Sequence, residues 1–149
     1  MKEELEQKLM DKFKFMEARN VWSGEKLNFP MPCSCGEGWF QLIWNLCEKI
    51  ETELMKLPKN SDYEFMVLQV KEKYGILCFY TGSIPSLIAD AIFNAICEAE
   101  GRSTTICESC GAGGITKHRG NWIRTLCNQC GEELGYIDFN DKENCNEEF

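Results

Sequence analysis

From Lys2 to Arg19 the apolar residues Leu5, Leu9, Phe13 and Met16 recur at three- and four-residue spacing, with charged residues between them. That period predicts an amphipathic helix, either packed on the body of the protein or protruding to dimerise or dock on a partner. Asn28-Phe29-Pro30-Met31-Pro32 breaks the pattern and predicts a connecting loop. A second helix is expected from Gly38 to Leu57, where Trp39, Leu42, Ile43, Leu46, Ile50 and Leu54 make one apolar stripe and Pro58 lies just beyond its end. From Glu64 to Tyr80 the period falls to two: Met66, Leu68 and Val70 alternate with Phe65, Val67, Gln69 and Lys71. Gly75 interrupts this run before Ile76 resumes it, which predicts a β-hairpin turning near Lys73-Tyr74-Gly75. Ser83 and Pro85 then open a third helix carrying Leu87, Ile88, Ala91, Ile92, Ala95 and Ile96, with Gly101 as its stop.

Beyond Gly101 the governing pattern is cysteine spacing. Cys107 and Cys110 form one C-x-x-C pair, Cys127 and Cys130 a second, and residues 111 to 126 lie between them. Two such turns present four thiolates to one metal, with Zn–S bonds of about 2.3 Å, as in a structural zinc ribbon. Gly111 and Gly131 each follow the second cysteine of a pair, where a positive φ is expected. The fold class that follows is α+β: helices packed on a small antiparallel hairpin sheet, with a C-terminal zinc ribbon binding Zn2+. Residues 1–101 form the body, 102–139 the ribbon and 140–149 an acidic tail expected to be disordered. The ribbon strands, Ile115–Lys117 and Asn121–Leu126, are expected to share the hairpin layer, and Tyr136–Phe139 to add an edge strand.

Charge narrows the choice of partner. Sixteen basic and twenty-four acidic residues give a net charge of −8, which opposes bulk nucleic acid and anionic lipid. Between Arg102 and Gly131, however, Arg102, Lys117, Arg119 and Arg124 face Glu108 alone. A local basic patch on an acidic protein suits one chosen anion better than nucleic acid in general. No apolar run is long enough to span a membrane, and Met1-Lys2-Glu3-Glu4 does not open a signal peptide. With ten cysteines and no such signal, a reducing, cytoplasmic setting is expected. Cys47, Cys78 and Cys97 are read as core residues. Cys33 and Cys35 are read as reduced thiols or, with Cys145 or His118, as a second metal site.

Catalytic chemistry is hard to find. His118 is the one histidine, no nucleophile–base arrangement is legible, and an all-thiolate zinc keeps no open position for water. The chain is therefore expected not to be an enzyme. The polar residues that stand out are Lys71, Lys73, Tyr74 and Tyr80 on the hairpin, and His118, Arg119, Trp122 and Arg124 between the knuckles. They admit two readings: solvated strand faces with Trp122 covering the ribbon core, or a ligand site where cations meet an anion and an aromatic face stacks on a ring.

Three motifs, in order, resemble a family of small proteins encoded mainly by bacteriophages and prophages. They are Cys35-Gly36-Glu37-Gly38-Trp39; Gln69-Val70-Lys71-Glu72-Lys73-Tyr74-Gly75 running into Phe79-Tyr80; and Trp122-Ile123-Arg124-Thr125-Leu126-Cys127. The resemblance spans Cys35 to Cys130 and implies a phage-type accessory protein in the host cytoplasm, without implying an activity. In that family the second knuckle often reads C-x-x-H; Cys130 makes the site here softer and more negative. The function expected from all of this is non-enzymatic binding in phage–host conflict, sequestering a nucleotide-like anion or blocking a host protein. The alternative is a module that binds nucleic acid or the transcription machinery. A structural role, with self-association through the first helix, is the third reading.

Overall fold

A computed structural model of the chain describes residues 1–139; the proposed acidic tail, and Cys145 with it, lies outside the described residues. The first helix, α1, covers Glu3–Lys12 and is shorter than its periodicity predicts. A single 3₁₀ turn at Lys14–Met16 breaks it, and the chain leaves as strand β1, Glu17–Arg19. Leu9, Phe13 and Met16 keep their helical spacing and are all fully buried, so the pattern marks a core face that the backbone reaches by two different geometries. The expected loop at Asn28–Pro32 is also corrected. Lys26–Pro30 is strand β2, antiparallel to β1 in a two-stranded ribbon, and Pro30 stands at its last position, on an edge strand where a missing N–H is tolerated.

Cys33–Ser34 forms a two-residue strand, β3, followed by a 3₁₀ turn at Glu37–Trp39 and helix α2, Phe40–Leu54. The predicted hairpin is present as β4, Val67–Lys73, and β5, Ile76–Thr81. β3 joins it by pairing parallel to β4, giving the order β3-β4-β5. The ladder slips between Val67 and Gln69. That slip puts Val67 and Val70, three residues apart, in the core together, where strict alternation would bury Leu68 with Val70. Helix α3, Ser86–Ser103, lies along the outer edge of β5. Its Ser103 Oγ accepts the Leu77 N–H at 2.9 Å and Glu100 Oε1 accepts the Phe79 N–H at 3.1 Å.

The core sits between these layers. Trp39, Ile43, Leu46 and Ile50 of the α2 region and Ile88 and Ile92 of α3 meet Val70 and Leu77 of the sheet. The Phe13 ring meets Trp44 edge-on at 5.1 Å, which seats the α1 region on α2. Of the three cysteines assigned to the core, Cys47 is fully buried, Cys78 is half-buried, and Cys97 is exposed on the outer side of α3. Cys97 follows the buried Ile96 by one residue, a 100° step that carries it off the packed stripe.

The ribbon consists of β6, Ile115–Arg119; β7, Trp122–Leu126; helix α4, Asn128–Leu134; and β8, Ile137–Asp138. Its strands pair in the order β7-β6-β8, so the edge strand expected near Tyr136–Phe139 is formed. The ribbon does not extend the hairpin layer; the two sheets are separate and meet through loops. Two glycines of the body permit this approach. A Cβ on Gly38 would fall 2.1 Å from the Cys107 carbonyl oxygen, and one on Gly36 would fall 2.3 Å from that of Glu108.

Gly38→Ala is expected to destabilise the protein by about 3 kcal/mol or more, because backbone must move on both sides of the contact. Gly101→Ala, in a helical position with nothing within 4 Å of the added carbon, should be neutral or stabilise by up to about 1 kcal/mol. Urea unfolding of the two variants checks the contrast; equal midpoints would refute the close approach.

Candidate metal centre and adjoining cleft

The Sγ atoms of Cys107, Cys110, Cys127 and Cys130 all lie within 4.8 Å of one another. Cys110 and Cys127 are 3.7 Å apart, close to the sulfur–sulfur edge of about 3.8 Å that a tetrahedron of 2.3 Å Zn–S bonds requires. Local backbone sets this geometry. Gly111, at φ 83°, closes the first knuckle by donating its N–H to the Cys107 carbonyl. In the second knuckle Cys127 is the N-cap of α4, its sulfur accepting the Cys130 N–H. Gly131 does not have the positive φ expected of it; it is helical, and its missing side chain makes room for Lys117, whose Cδ would lie 2.7 Å from a Cβ there.

The sulfurs compete for protons. Burial acts to raise the Cys107 thiol, but N–H groups of Cys127, Cys110 and Ser109 outweigh it and hold it down to about 7. The proton shared with Cys127 pushes Cys130 up to about 12. A divalent cation removes this conflict by stabilising all the thiolates together, so four soft donors at this spacing fit a metal ion. Cys33 and Cys35 do not resemble them. Burial pushes both thiols up, Cys35 to about 12, and among the described residues neither joins a metal-ligating group. His118 does not join them in such a group; its ring lies 4.7 Å from that of Phe139.

Glu108, inside the first knuckle, is buried with only 4% of its surface exposed, and sequence reasoning gave it no role. Its N–H donates to the Thr125 carbonyl at 2.9 Å, and its own carbonyl accepts the Gly38 N–H at 2.8 Å. One carboxylate oxygen accepts the Gly36 N–H and the other the Arg124 Nε–H, each at 2.8 Å. The first cysteine knuckle is thereby joined to the body. Thr125, fully buried, adds a second joint by donating its hydroxyl to the Gly75 carbonyl at 2.7 Å. The signal available in the sequence was Glu108 itself, the lone acid in a basic segment, together with two glycines spaced one residue apart in the Cys35–Trp39 motif.

The eight residues expected to bind a ligand do not share one concavity. Lys71 lies over the Tyr80 ring at 5.6 Å on the hairpin. Arg119 donates to the Leu134 carbonyl and lies 5.0 Å over Tyr136. Arg124 is held by Glu108 and lines a different groove, with Met1, Lys2, Gly36, Glu37 and Ser109. Lys117, counted with the basic patch, is 4% exposed and bound to Asp138 and Asn128.

Lys73, Tyr74 and Trp122 do come together. With Glu72, Asn121 and Ile123 they line a cleft of about 480 Å³ between the tips of two hairpins. One tip is Tyr74-Gly75, with φ of 52° and 78°, the type I′ geometry of a two-residue hairpin turn. A tyrosine is a rare occupant of that first position, where asparagine or glycine is usual. The Glu72 carboxylate accepts the Gly75 N–H at 2.5 Å and steadies the turn; its partial burial raises its affinity for a proton. The other tip is Gly120-Asn121, where Gly120 supplies the one positive φ. Tyr74 and Trp122 remain 66% and 72% exposed, and Lys73 lies 5.7 Å over the Tyr74 ring.

The chain matches no protein-family model, no curated protein and no solved structure. No helix among the described residues is long and apolar enough to cross a membrane.

Cys107→Ser is expected to abolish stoichiometric metal binding and to unfold the ribbon, as seen by metal analysis and near-UV circular dichroism. Glu108→Gln should retain the metal but lose about 2–3 kcal/mol of stability, since it weakens the bond to Arg124 and opposes an NH₂ to either that cation or the Gly36 N–H. Metal loss from Glu108→Gln at neutral pH would contradict this division of roles.

Proposed function

We propose that the protein is a non-enzymatic binder in which a zinc ion in the four-cysteine site stiffens the ribbon, and the cleft between the hairpin tips takes a nucleotide-like anion. The observation that carries this reading is the placement of two exposed aromatic rings, Tyr74 and Trp122, on one cleft beside the Lys73 ammonium. A planar ring stacks on aromatic faces in any orientation, and a lysine supplies attraction to its phosphate. The strain of an aromatic residue at φ 52° supports a role for Tyr74 beyond turn formation. Four thiolates favour zinc among the divalent ions of a reducing cytoplasm.

The motif resemblance supports a role in phage–host conflict, with the cleft sequestering a nucleotide signal of the host. Non-enzymatic action is supported by the cleft's composition: the carboxylate of Glu72 is engaged by its own turn, and no nucleophile–base pair lines the site among the described residues. The nucleic-acid reading is weaker. Lys117, Arg119 and Arg124, the cations between the knuckles, are each bound within the protein, which leaves no basic stripe between the knuckles for a phosphate backbone.

Thermal denaturation with a panel of linear and cyclic nucleotides tests the proposal, because a ligand of the native state raises the melting temperature by mass action. At least one member should do so, and Trp122→Ala should weaken its binding about tenfold or more, the usual worth of one stacked base. Trp22→Ala, on the remote β1–β2 tip, should bind as wild type. If no nucleotide shifts the transition, the nucleotide reading fails; if metal analysis finds no zinc, the metal assignment fails separately.

A further inference from the structure

Away from the ribbon, one concavity gathers four basic side chains. It has a volume of about 460 Å³ and opens between the β1–β2 ribbon and the segment that follows α2. Lys14, Arg19, Lys26 and Lys59 line it against one carboxylate, Glu64. On a chain of net charge −8, such a pocket is a local inversion of sign, and its low-dielectric walls concentrate the field inside it. Those walls are apolar: Phe15, Leu54, Leu57, Pro58 and Phe65. None of its residues is shared with the hairpin-tip cleft.

Arg19 is the built part of this site. Its side chain is only 10% exposed. One guanidinium nitrogen, Nη1, donates to the Gly24 carbonyl at 3.2 Å and to Glu64 Oε2 at 2.8 Å. A guanidinium has five N–H groups. Among the described residues no buried polar side-chain atom lacks a partner, so the remaining Arg19 donors reach solvent, and Arg19 is one of the residues that line the pocket. Glu64 neutralises only part of the charge: the Arg19 hydrogen bond keeps its carboxyl ionised, and it also faces Lys26 at 3.5 Å. Lys14 donates to the Asp11 carbonyl. Among the described residues neither Lys14 nor Lys59 has a carboxylate within ion-pair distance.

We propose that this pocket is a second ligand site, for a small organic anion whose charged group meets Arg19 and the rim lysines while its apolar body lies against Phe15, Leu57 and Phe65. The size fits a molecule of cofactor dimensions, and the division into a cationic rim and an apolar wall sets the chemical class. A purely inorganic anion would leave the wall empty, and a neutral apolar molecule would leave the cations uncompensated.

The test uses the full chain and the fluorescent probe 8-anilinonaphthalene-1-sulfonate, an anion on an aromatic body, beside uncharged N-phenyl-1-naphthylamine, which has the same body. Binding is read at this pocket: the sulfonate should perturb the amide resonances of Phe15, Leu57 and Phe65 along one saturable curve. Lys14→Glu/Lys59→Glu, at two exposed positions, should weaken it about tenfold or more, because two attractions become repulsions. Trp122→Ala should leave it unchanged, and the uncharged probe should bind about tenfold more weakly than the sulfonate. The proposal is overturned if the double variant binds as wild type, if both probes bind equally, or if Trp122→Ala removes the sulfonate. Should the double variant not fold, Lys59→Gln is read the same way, with about threefold weakening expected and no change refuting the site. Failure here leaves the hairpin-tip cleft untouched, since its test reads nucleotides and Trp122.

Discussion

One carboxylate joins the two halves of this protein. Glu108 sits between two cysteines of the first knuckle, yet all four of its hydrogen-bonding groups find partners elsewhere, in Gly36, Gly38, Arg124 and Thr125. A buried acid with that many partners is costly to desolvate and tolerable only when fully satisfied. Satisfying it ties the ribbon to the turn that precedes α2, and Trp39, whose indole N–H donates to the Ile106 carbonyl at 2.9 Å, adds another tie at the same seam. The cleft between the hairpin tips is a by-product of that docking: Thr125 holds Gly75, and their neighbours Tyr74 and Trp122 are left facing open space.

The elements most legible in the sequence were those with a single dominant period. Helices α2 and α3 and the β4–β5 hairpin lie where the apolar spacing puts them, and the four cysteines gather as C-x-x-C turns require. The N-terminal region was misread for a physical reason. Leu9, Phe13 and Met16 are buried as a helix would bury them, but a 3₁₀ turn rather rapidly converts the chain into strand β1, and burial alone does not report backbone geometry. The β1–β2 ribbon was invisible because its exposed residues, Val21, Trp22, Leu27 and Phe29, show no alternation against a core. Its turn is set instead by Asn20, whose side-chain oxygen accepts the N–H groups of Trp22 and Ser23.

The candidate sites were less legible than the fold, and the residues say why. Sequence lists a lysine or arginine as a free cation, whereas Lys117, Arg119 and Arg124 each hold part of the ribbon together. What turned three of the eight proposed residues into a cleft was adjacency of two turns about fifty positions apart, which no local pattern encodes. The same holds for the basic pocket, assembled from Lys14, Arg19, Lys26 and Lys59 on three separate segments.

The covering of β5 by α3 has a consequence for how these molecules meet one another. A sheet ends where its last row of amides finds other acceptors, and here Ser103 and Glu100 already occupy the outward N–H groups of Leu77 and Phe79. An incoming strand from another copy would have to displace both side chains, and a helix with them, before its first ladder bond could form. The small sheet is thus closed to polymerisation on that side by chemistry rather than by charge.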